Sequence, residues 1–573
     1  MNRFFNTAGP VKSDIHYQID PLTRLDWAEV QMLIAQQKYL VLHAPRQTGK
    51  TTTLLAMMQA LNQAGDYSVL YANIEGAQVA RNDIERGIKA VCQAIVSRAT
   101  DHDIAPALKE IYQKQVIHES AENALTSLLT QWAMISEKPC VLLLDEVDAL
   151  VGDTLISVLR QIRAGYDQRP RRFPVSIVLC GVRDVRDYRI HSGGEIIAGG
   201  SAFNIKSKSL RMGSFNPTEL RLLFQQHTDT TGQLFDETLF AALWQDTQGQ
   251  PWLVNALGYE MAWEAKEKRD RTQSIELEDY NAARERLIQS RSTHLDQLSD
   301  KLSEPRVHSV IAPMLATNIT MVNENTPLDD LQYVEDLGLI TLKPQLRISN
   351  RIYQEVIPRE LTYPTQIKIS HQQSWYLDAD NHINMPKLLS AFQQFFRENS
   401  QVWLERFDYK EAGPQLLMQA FLQRIVNGGG RRGSQANAWS LCTSEVEPRM
   451  ATGCATGTFR TQNSDQPSHY SGRINREYAL GSTRTDLLIE WPTTDKGFYG
   501  HVQRIVIELK ILYGALDTDI NKGLRQTADY ADKLGASQAH LMIFNRSPDM
   551  TWQDKIWQRE ANHESRKITV WGC

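Results

Sequence analysis

The sequence predicts an α/β protein whose first part is a parallel sheet with helices on its faces. Short apolar runs alternate with helical patterns from about residue 20, which is typical of chains that form parallel sheets. The run at 40–42 leads into Gly49-Lys50-Thr51, and the run at 141–144 leads into Asp145-Glu146. These groups suit phosphate and divalent metal, so the sheet is expected to carry a nucleotide site.

The first element is a strand, a tight loop and a helix in the order that a phosphate-binding loop requires. Backbone N–H groups at the start of the helix point at anionic oxygens, Lys50 can reach the outer phosphates, and the Thr51 hydroxyl can bind magnesium. Ala44 stands where the consensus has glycine, and Pro45 fixes its own φ angle, so the loop must begin with ordinary backbone angles. The predicted nucleotide-binding residues of the loop are Ala44, Pro45, Arg46, Gln47, Thr48, Gly49, Lys50, Thr51 and Thr52.

The acid pair after the run at 141–144 has the form of a Walker B motif. Asp145 at the strand tip can hold magnesium through water, and Glu146 can orient or deprotonate the attacking water, with Asp148 as a helper. An acid pair after an apolar strand can also simply begin a surface helix. Following a GKT loop, however, the pair favours a P-loop NTPase sheet.

The remaining elements of this first part follow in chain order. A helix is expected within 20–38, further strands at 69–73, 176–181 and 208–212, and a helical region from Asn216 to about residue 291. Asn216, Pro217 and Glu219 form a capping signal. Arg183, after the fourth strand, either senses the terminal phosphate or pairs with a nearby acid. Pro251 restarts a helix where a lid would cover the base.

Length and composition limit the class of protein. The 573 residues suggest about three to five domains, and the net charge of −5 gives no global basic field, so any nucleic-acid contact must be local. The six cysteines show no zinc spacing and are expected to be reduced thiols. The N-terminus lacks a signal-like pattern and no apolar run reaches membrane-spanning length, so a cytoplasmic protein without membrane contact is expected.

Four motifs together resemble the AAA-like ATPases, particularly the archaeal-ATPase and signal-transducing type, over roughly residues 20–360. These motifs are HAPRQTGKTT, LLLDEVD, the strand ending CGVRD, and GQPW. The resemblance implies ATP binding and hydrolysis with Mg²⁺, and it places Gly249 and Pro251 near the adenine. No arginine stands out as a finger from a neighbouring subunit, so the question of a homo-oligomer stays open.

From 313 to 361 a capped helix and two short strands suggest a winged helix. The pattern predicts a helix cap at Thr326 and strands at 339–342 and 346–349. A DNA-reading helix of this kind enters the major groove, but this one carries Asp329, Asp330, Glu335 and Asp336. The acidity favours an interaction or autoinhibitory role over direct reading of DNA.

A second group of chemically active residues lies near the C-terminus. Two predicted strands could place Asp486 and Glu508 side by side, and alternation puts Glu508 and Lys510 on one face. Two carboxylates hold Mg²⁺ or Mn²⁺, and an ammonium group can position water beside a scissile phosphate. An E-x-K strand alone is more often a solvated face; the preceding G-x-x-R-x-D strand and the following helix make the catalytic interpretation better.

Residues 400–573 resemble the PD-(D/E)xK nuclease superfamily, especially its form fused behind an AAA-like ATPase. The resemblance implies that Asp486 and Glu508 are metal ligands, Lys510 is the catalytic lysine, and Gln526 and Tyr530 support them. Glu411 is the nearest acid to complete the site. Thr485 replaces the usual proline before the aspartate, which removes one check on the assignment.

The expected organisation is therefore a P-loop NTPase sheet with a helical lid and winged helix, followed by an α/β restriction-endonuclease-like domain. The expected segments are the ATPase core at 1–212, the lid at 213–292, the winged helix at 293–365 and the nuclease-like domain at 366–573, with a disordered insertion at 431–472. One interpretation is an ATP-hydrolysing switch coupled to a metal-dependent nuclease-like domain that acts on nucleic acid, as in mobile-element or anti-phage proteins. The other is a non-cleaving ATP-dependent regulator whose C-terminal domain only binds nucleic acid or protein.

Overall fold

The computed structural model describes most of the chain outside one long C-terminal segment. The described residues are 3–183, 190–192, 195–197, 208–289, 301–302, 304–316, 326–357, 375–406, 412–426, 472–480, 483–494, 498, 500–512, 515–545, 547, 550–564 and 566–573. The expected insertion at 431–472 lies outside these residues except for Gly472, and Glu411, Cys442 and Cys454 also lie outside them. The four described cysteines are free and buried.

The first sheet contains five strands, and every pairing in it is parallel. The strands are β1 (Leu40–His43), β2 (Ser68–Asn73), β3 (Cys140–Asp145), β4 (Ser176–Gly181) and β7 (Lys208–Arg211), in the order β2-β3-β4-β1-β7. The parallel α/β sheet predicted from the sequence is therefore confirmed. A short antiparallel hairpin of β5 (Ile190–Ser192) and β6 (Glu195–Ile197) precedes β7.

Helices cover both faces of this sheet, because its strands are apolar on both sides. These helices are α1 (Trp27–Ala35), α2 (Lys50–Ala64), α3 (Ile84–Asp101), α4 (Ala107–Lys114), α5 (Ala121–Ile135) and α6 (Gly152–Ala164). The helix expected within 20–38 is a short 3₁₀ turn, Pro21–Arg24, followed by α1. Two separate apolar clusters result, one on each face of the sheet.

The expected helical region after Asn216 is a bundle of four helices. They are α7 (Pro217–Thr231), α8 (Glu237–Thr247), α9 (Pro251–Tyr259) and α10 (Leu277–Gln289). The Asn216 side chain accepts from the Glu219 N–H and the Glu219 side chain accepts from the Asn216 N–H, so the predicted capping box is present. The chain before α1 packs on this bundle, where buried Phe5 contacts Phe224 and buried Tyr17 contacts His227.

The described residues 304–316 and 326–357 contain two helices, a small hairpin and a further helix at 351–357. The helices are α11 (Pro305–Ala316) and α12 (Leu328–Asp336), and the hairpin consists of β8 (Ile340–Thr341) and β9 (Arg347–Ile348). The predicted cap at Thr326 is wrong: Pro327 is the N-cap and no side chain caps the helix. The strands are also shorter than the sequence pattern predicts.

The C-terminal region is a mixed six-stranded sheet with helices on both faces. The helices are α13 (Met385–Arg406), α14 (Ala412–Val426), α15 (Leu516–Lys533) and α16 (Trp552–Lys555). The strands are β10 (Arg473–Leu480), β11 (Thr483–Pro492), β12 (Val502–Ile511), β13 (Gln538–Phe544), β14 (Trp557–His563) and β15 (Arg566–Gly572). Their order is β10-β11-β12-β13-β15-β14, with α15 crossing from β12 to the parallel strand β13.

One apolar cluster connects the bundle of α7 to α10, which is the expected lid and is called the lid bundle below, to the C-terminal sheet. It includes Phe224 of the bundle, Val334 of α12, Phe392 of α13 and Ile507 of β12. Packing therefore continues from one region to the next without a polar layer between them. None of the described helices is long and apolar enough to cross a membrane.

Candidate functional site

The loop between β1 and α2 is anchored at the centre of the first sheet. The Ala44 N–H donates to the Gly181 carbonyl of β4 at 3.3 Å, and Ala44 is fully buried. The positive φ angles of the loop fall at Gln47 (56°) and Gly49 (92°), while Ala44 and Pro45 lie outside that region. Because its conformation is ordinary, Ala44 replaces the consensus glycine without backbone strain, as the sequence predicts.

Lys50 begins α2 and is held inside the loop. Its ammonium group donates to the carbonyl of Ala44 at 3.1 Å and to the carbonyl of Pro45 at 3.2 Å. The side chain is buried, so its charge depends on these two oxygens for solvation. A phosphate oxygen at the mouth of the loop could take over this role with a full negative charge.

Thr51 and Asp145 meet at the carboxyl end of β3. The Thr51 hydroxyl donates to Asp145 Oδ2 at 2.6 Å, and the Tyr71 hydroxyl donates to the same oxygen at 3.1 Å. Asp145 is fully buried, and its other oxygen accepts from the Glu146 N–H at 3.0 Å. A hydroxyl and a carboxylate converging beside a phosphate-binding loop are the oxygen donors that Mg²⁺ prefers, so these residues fit the metal.

Tyr71 is a contributor that the sequence analysis did not identify. It lies on β2, two residues before the end of the strand, and β2 is hydrogen-bonded to β3. The sequence shows a tyrosine near the end of one strand and an aspartate at the end of another. Their contact can be predicted only if β2 and β3 are known to be neighbours.

Glu146 follows Asp145 in a strained conformation, with φ of 60°. Burial raises the pKa of its carboxyl, the neighbouring charge of Asp148 raises it further, and Lys50 opposes the change. A carboxylate with a raised pKa is a better base, and stored backbone strain is frequent at functional sites. Asp148 accepts from the Val182 N–H at 3.0 Å, so it fixes the end of β4 immediately before Arg183.

The residues around α12 lie directly against this site. The Arg183 guanidinium lies 4.8 Å from the ring centroid of Tyr333, and Arg211 at the end of β7 forms an ion pair with Glu335 at 3.3 Å. A Cβ built on Gly338 would lie 2.8 Å from the Pro45 ring, which shows how closely that backbone approaches the loop. Arg183 thus contacts the acidic helix through the ring of Tyr333, and both of its sequence-based alternatives stay predictions.

A cavity of about 120 Å³ opens beside the loop, between the lid bundle and the N-terminal residues. Its lining includes Gln47, Thr48 and Gly49 of the loop and Pro251 at the start of α9. Position 249, two residues before Pro251, requires glycine, because a Cβ there would lie 2.0 Å from the Phe215 carbonyl oxygen. Arg24, which sequence analysis did not single out, donates to the carbonyls of Thr48 and Gly213 and so ties the loop to the start of the lid.

The second group of predicted residues is brought together on the C-terminal sheet. Asp486 and Glu508 lie one residue beyond the paired Leu487 and Ile507 of the antiparallel strands β11 and β12. The Asp486 N–H approaches Glu508 Oε2 at 3.5 Å, and Asp486 Oδ2 accepts from the Leu509 N–H at 2.8 Å. Both carboxylates are buried, with 8% and 2% of the residue exposed, respectively.

Lys510 completes this group through an ion pair. Its ammonium group lies 2.9 Å from Glu508 Oε1. Burial raises the pKa of Glu508 and the charge of Asp486 raises it further, against the effect of Lys510. Burial alone would lower the pKa of Lys510, but the charge of Glu508 outweighs it and the pKa is raised. Lys510 therefore contacts Glu508, and the charge of Asp486 affects the pKa of both groups.

The supporting residues of this second group differ in position. Tyr530 of α15 is buried and close enough to Lys510 to contribute to its raised pKa, whereas Gln526 is exposed. Within the described part of the chain, no three acidic, histidine or cysteine side chains gather as a metal cluster. The predicted third acid, Glu411, lies outside the described residues. The carboxylates of Asp486 and Glu508 supply oxygen atoms of the kind that divalent ions bind, whereas the Lys510 ammonium is not a ligand.

Comparison with known proteins bears on the first of these two sites. Residues 34–188 match the family model described as "AAA domain", and this segment includes the loop, Asp145 and Glu146. It is therefore an AAA-like P-loop ATPase domain. No curated protein matches the chain.

Several solved structures are similar in part of their fold. A Walker-type ATPase of Pyrococcus abyssi is 13% identical with a TM-score of 0.41, covering 62% of this chain and 99% of its own. The ORC2 protein of Aeropyrum pernix is 15% identical with a TM-score of 0.34, covering 59% and 94%. Cdc6p of Pyrobaculum aerophilum is 16% identical with a TM-score of 0.33, covering 60% and 93%. At these scores the similarities do not bear on function.

Proposed function

We propose that this protein is an ATP-hydrolysing switch coupled to a metal-dependent nuclease-like domain that acts on nucleic acid. The single observation that carries the first half is the 2.6 Å hydrogen bond between Thr51 and Asp145, beside the buried ammonium of Lys50. A loop, a hydroxyl and a carboxylate in this arrangement serve phosphoryl transfer, for which positioning and charge provide most of the catalysis.

In the proposed ATPase site each residue has a separate task. The loop N–H groups and Lys50 would hold the phosphates, while Thr51 and Asp145 would hold Mg²⁺, which neutralises charge on the phosphates when bound. Glu146 would orient the attacking water and accept its proton, a role that its raised pKa supports. Tyr71 fixes the Asp145 carboxylate, and Asp148 fixes the backbone that leads to Arg183.

In the proposed nuclease-like site Asp486 and Glu508 would hold Mg²⁺ or Mn²⁺, and Lys510 would position water or stabilise charge on a scissile phosphate. The support is the pairing of buried carboxylates on adjacent strands with a lysine two residues further along. A cation would replace the charge balance that Lys510 now provides, which frees the ammonium for a phosphate.

Coupling between the two sites is supported by the contacts of α12. This acidic helix, part of the proposed winged-helix segment, contacts Arg183 and Arg211 at the ATPase site, and the same segment shares an apolar core with the C-terminal sheet. A nucleotide that changes the position of Arg183 would therefore act on a segment packed against the other domain. We expect this contact to change between nucleotide states.

The test measures phosphate release from ATP and cleavage of plasmid DNA with magnesium, for the parent, Lys50→Ala and Lys510→Ala. We expect Lys50→Ala to lose both activities and Lys510→Ala to lose cleavage alone. Equal cleavage by all three proteins would contradict the coupling. Equal phosphate release by the parent and Lys50→Ala would contradict the ATPase assignment.

The alternative is a regulator that binds nucleic acid or protein without cutting. The ion pair between Lys510 and Glu508 favours it, because a lysine already bound to the acid is not free for a phosphate. Manganese separates the two functions. If it raises the melting temperature of the parent but not of Asp486→Asn, the second site binds metal; if neither protein shifts, the regulator is favoured.

A further inference from the structure

The cavity beside the phosphate loop has a second wall that the nucleotide-binding motifs do not predict. Residues 6–9, Val11 and residues 17–19 of the N-terminal segment line it opposite α9. This segment is fixed at both ends of the cavity: the Trp252 indole N–H donates to the Thr7 carbonyl at 2.9 Å, and the Val11 N–H donates to the Thr52 hydroxyl at 3.1 Å. The wall is thus built into the fold.

The position of the cavity determines which part of a nucleotide would occupy it. Gln47, Thr48, Gly49 and Thr52 of the loop region form one end, where phosphates would lie. The other end is bounded by α9, with the aromatic side chain of Trp252 in its lining. A flat apolar ring attached to phosphates on the loop would therefore lie between the N-terminal segment and α9.

Asn255, a residue of this lining, carries an unpartnered hydrogen-bond acceptor. Its Nδ2 group donates to the Pro251 carbonyl at 2.8 Å, so the orientation of the side-chain amide is fixed and Oδ1 is the free end. Asn255 is only 8% exposed, and Oδ1 is buried without a hydrogen-bond partner. A buried acceptor without a partner costs stability, which makes a ligand donor at this place favourable.

We infer that Asn255 is the base-recognition residue and that it selects adenine by accepting a hydrogen bond from the 6-amino group. Guanine carries an oxygen at that position, which would place two acceptors together. Two other unpartnered buried groups belong to residues of the lining, Arg24 Nε and Gln47 Oε1. Gln47 is part of the phosphate loop and Arg24 donates to the Thr48 carbonyl, so both groups lie at the phosphate end of the cavity. This inference rests on the proposed nucleotide binding.

The test compares ligands that differ at one atom position. Binding of ATP, GTP and purine riboside triphosphate, which lacks the 6-amino group, is measured by calorimetry on the full chain. We expect the parent to bind ATP about tenfold more tightly than purine riboside triphosphate, since a lost hydrogen bond to a buried group has about this effect. Equal binding of these two ligands would overturn the inference, and so would tighter binding of GTP than ATP.

A variant then assigns the effect to one side chain. In Asn255→Leu we expect ATP and purine riboside triphosphate to bind equally, whereas Gln225→Leu, at an exposed amide on α7, should keep the parent's tenfold difference. A tenfold difference retained by Asn255→Leu would overturn the inference. The comparison of ligands on the parent needs no variant, so it decides the question even if Asn255→Leu fails to fold. If the parent binds none of the three triphosphates, the proposed function fails as well.

Discussion

The two candidate sites each contain a lysine and buried carboxylates, but they use the lysine differently. Lys50 is bonded to two backbone carbonyls, and Asp145 receives hydroxyl groups from Thr51 and Tyr71. Lys510 instead forms an ion pair with Glu508. The first site keeps its cation and anion apart, each with neutral partners, whereas the second brings its lysine into direct contact with one of its two acids.

This difference indicates how much each site must change when it binds a ligand. In the first, phosphate can replace two carbonyls and metal can join an oriented carboxylate without breaking an ion pair. In the second, a metal ion must compete with Lys510 for Glu508. We therefore expect the first site to be more nearly preorganised than the second.

The largest expected effect separates binding from chemistry at the first site. In Glu146→Gln we expect ATP to bind as in the parent and its hydrolysis to fall by about 10²- to 10⁴-fold, because the amide cannot accept the proton of the attacking water. Phosphate release and nucleotide affinity are measured in parallel. Glu75→Gln, an exposed acid near the same strand ends, is the control. Hydrolysis within tenfold of the parent would remove Glu146 from its proposed role.

The second prediction concerns the pH dependence of the site formed by Asp486, Glu508 and Lys510. Folding raises the pKa of Glu508 from 4.5 to about 8, so the fold favours the neutral acid. The resulting stability is fully present below pH 4.5 and is lost as the pH rises to about 8. We expect the melting temperature of the metal-free parent to fall by several degrees between about pH 5 and 8, relative to Glu508→Gln.

Thermal melts with a chelator present would measure this difference. Manganese should reverse the loss in the parent, most strongly at the higher pH, because it binds the ionised carboxylates. Glu490→Gln serves as the control, since Glu490 is an acid of the same sheet that is paired with Arg504. Identical pH profiles for the parent and Glu508→Gln would show that the carboxyl does not carry the effect.

The smallest expected effect is that of Tyr71, which supports a site that is already formed. In Tyr71→Phe we expect the magnesium concentration for half-maximal ATP hydrolysis to rise about fivefold, the loss expected for one hydrogen bond of about 1 kcal/mol. Titration of magnesium at saturating ATP measures it. Tyr67→Phe, away from Asp145, should behave as the parent does. A larger effect than that of Glu146→Gln would contradict the ranking of the two residues.

Local sequence patterns were sufficient to predict the elements whose residues lie close together in the chain. The loop from Ala44 to Thr51, the acids after the third strand and the Asn216 capping box all have short-range signals, and the structure has the corresponding local elements. Each depends on contacts between near neighbours in the chain. For the same reason, all five strands of the first sheet were predicted to within two residues.

What could not be predicted depends on distant parts of the chain meeting. The sequence does not show that β2 and β3 are neighbours in the sheet, and therefore it hides the contact of Tyr71 with Asp145. The contact of the N-terminal segment with α9 also joins residues about 245 positions apart. The placement of Arg183 against Tyr333 depends on how α12 packs, for which periodicity carries no information.

The apolar cluster that joins Phe224, Val334, Phe392 and Ile507 has a practical consequence. Dividing the chain between the lid bundle and the C-terminal sheet would expose a large apolar surface on each fragment, and such surfaces cause proteins to aggregate. The two halves should therefore be soluble only when they are produced together, and a calorimetric scan should show the lid and the last sheet melting in a single transition.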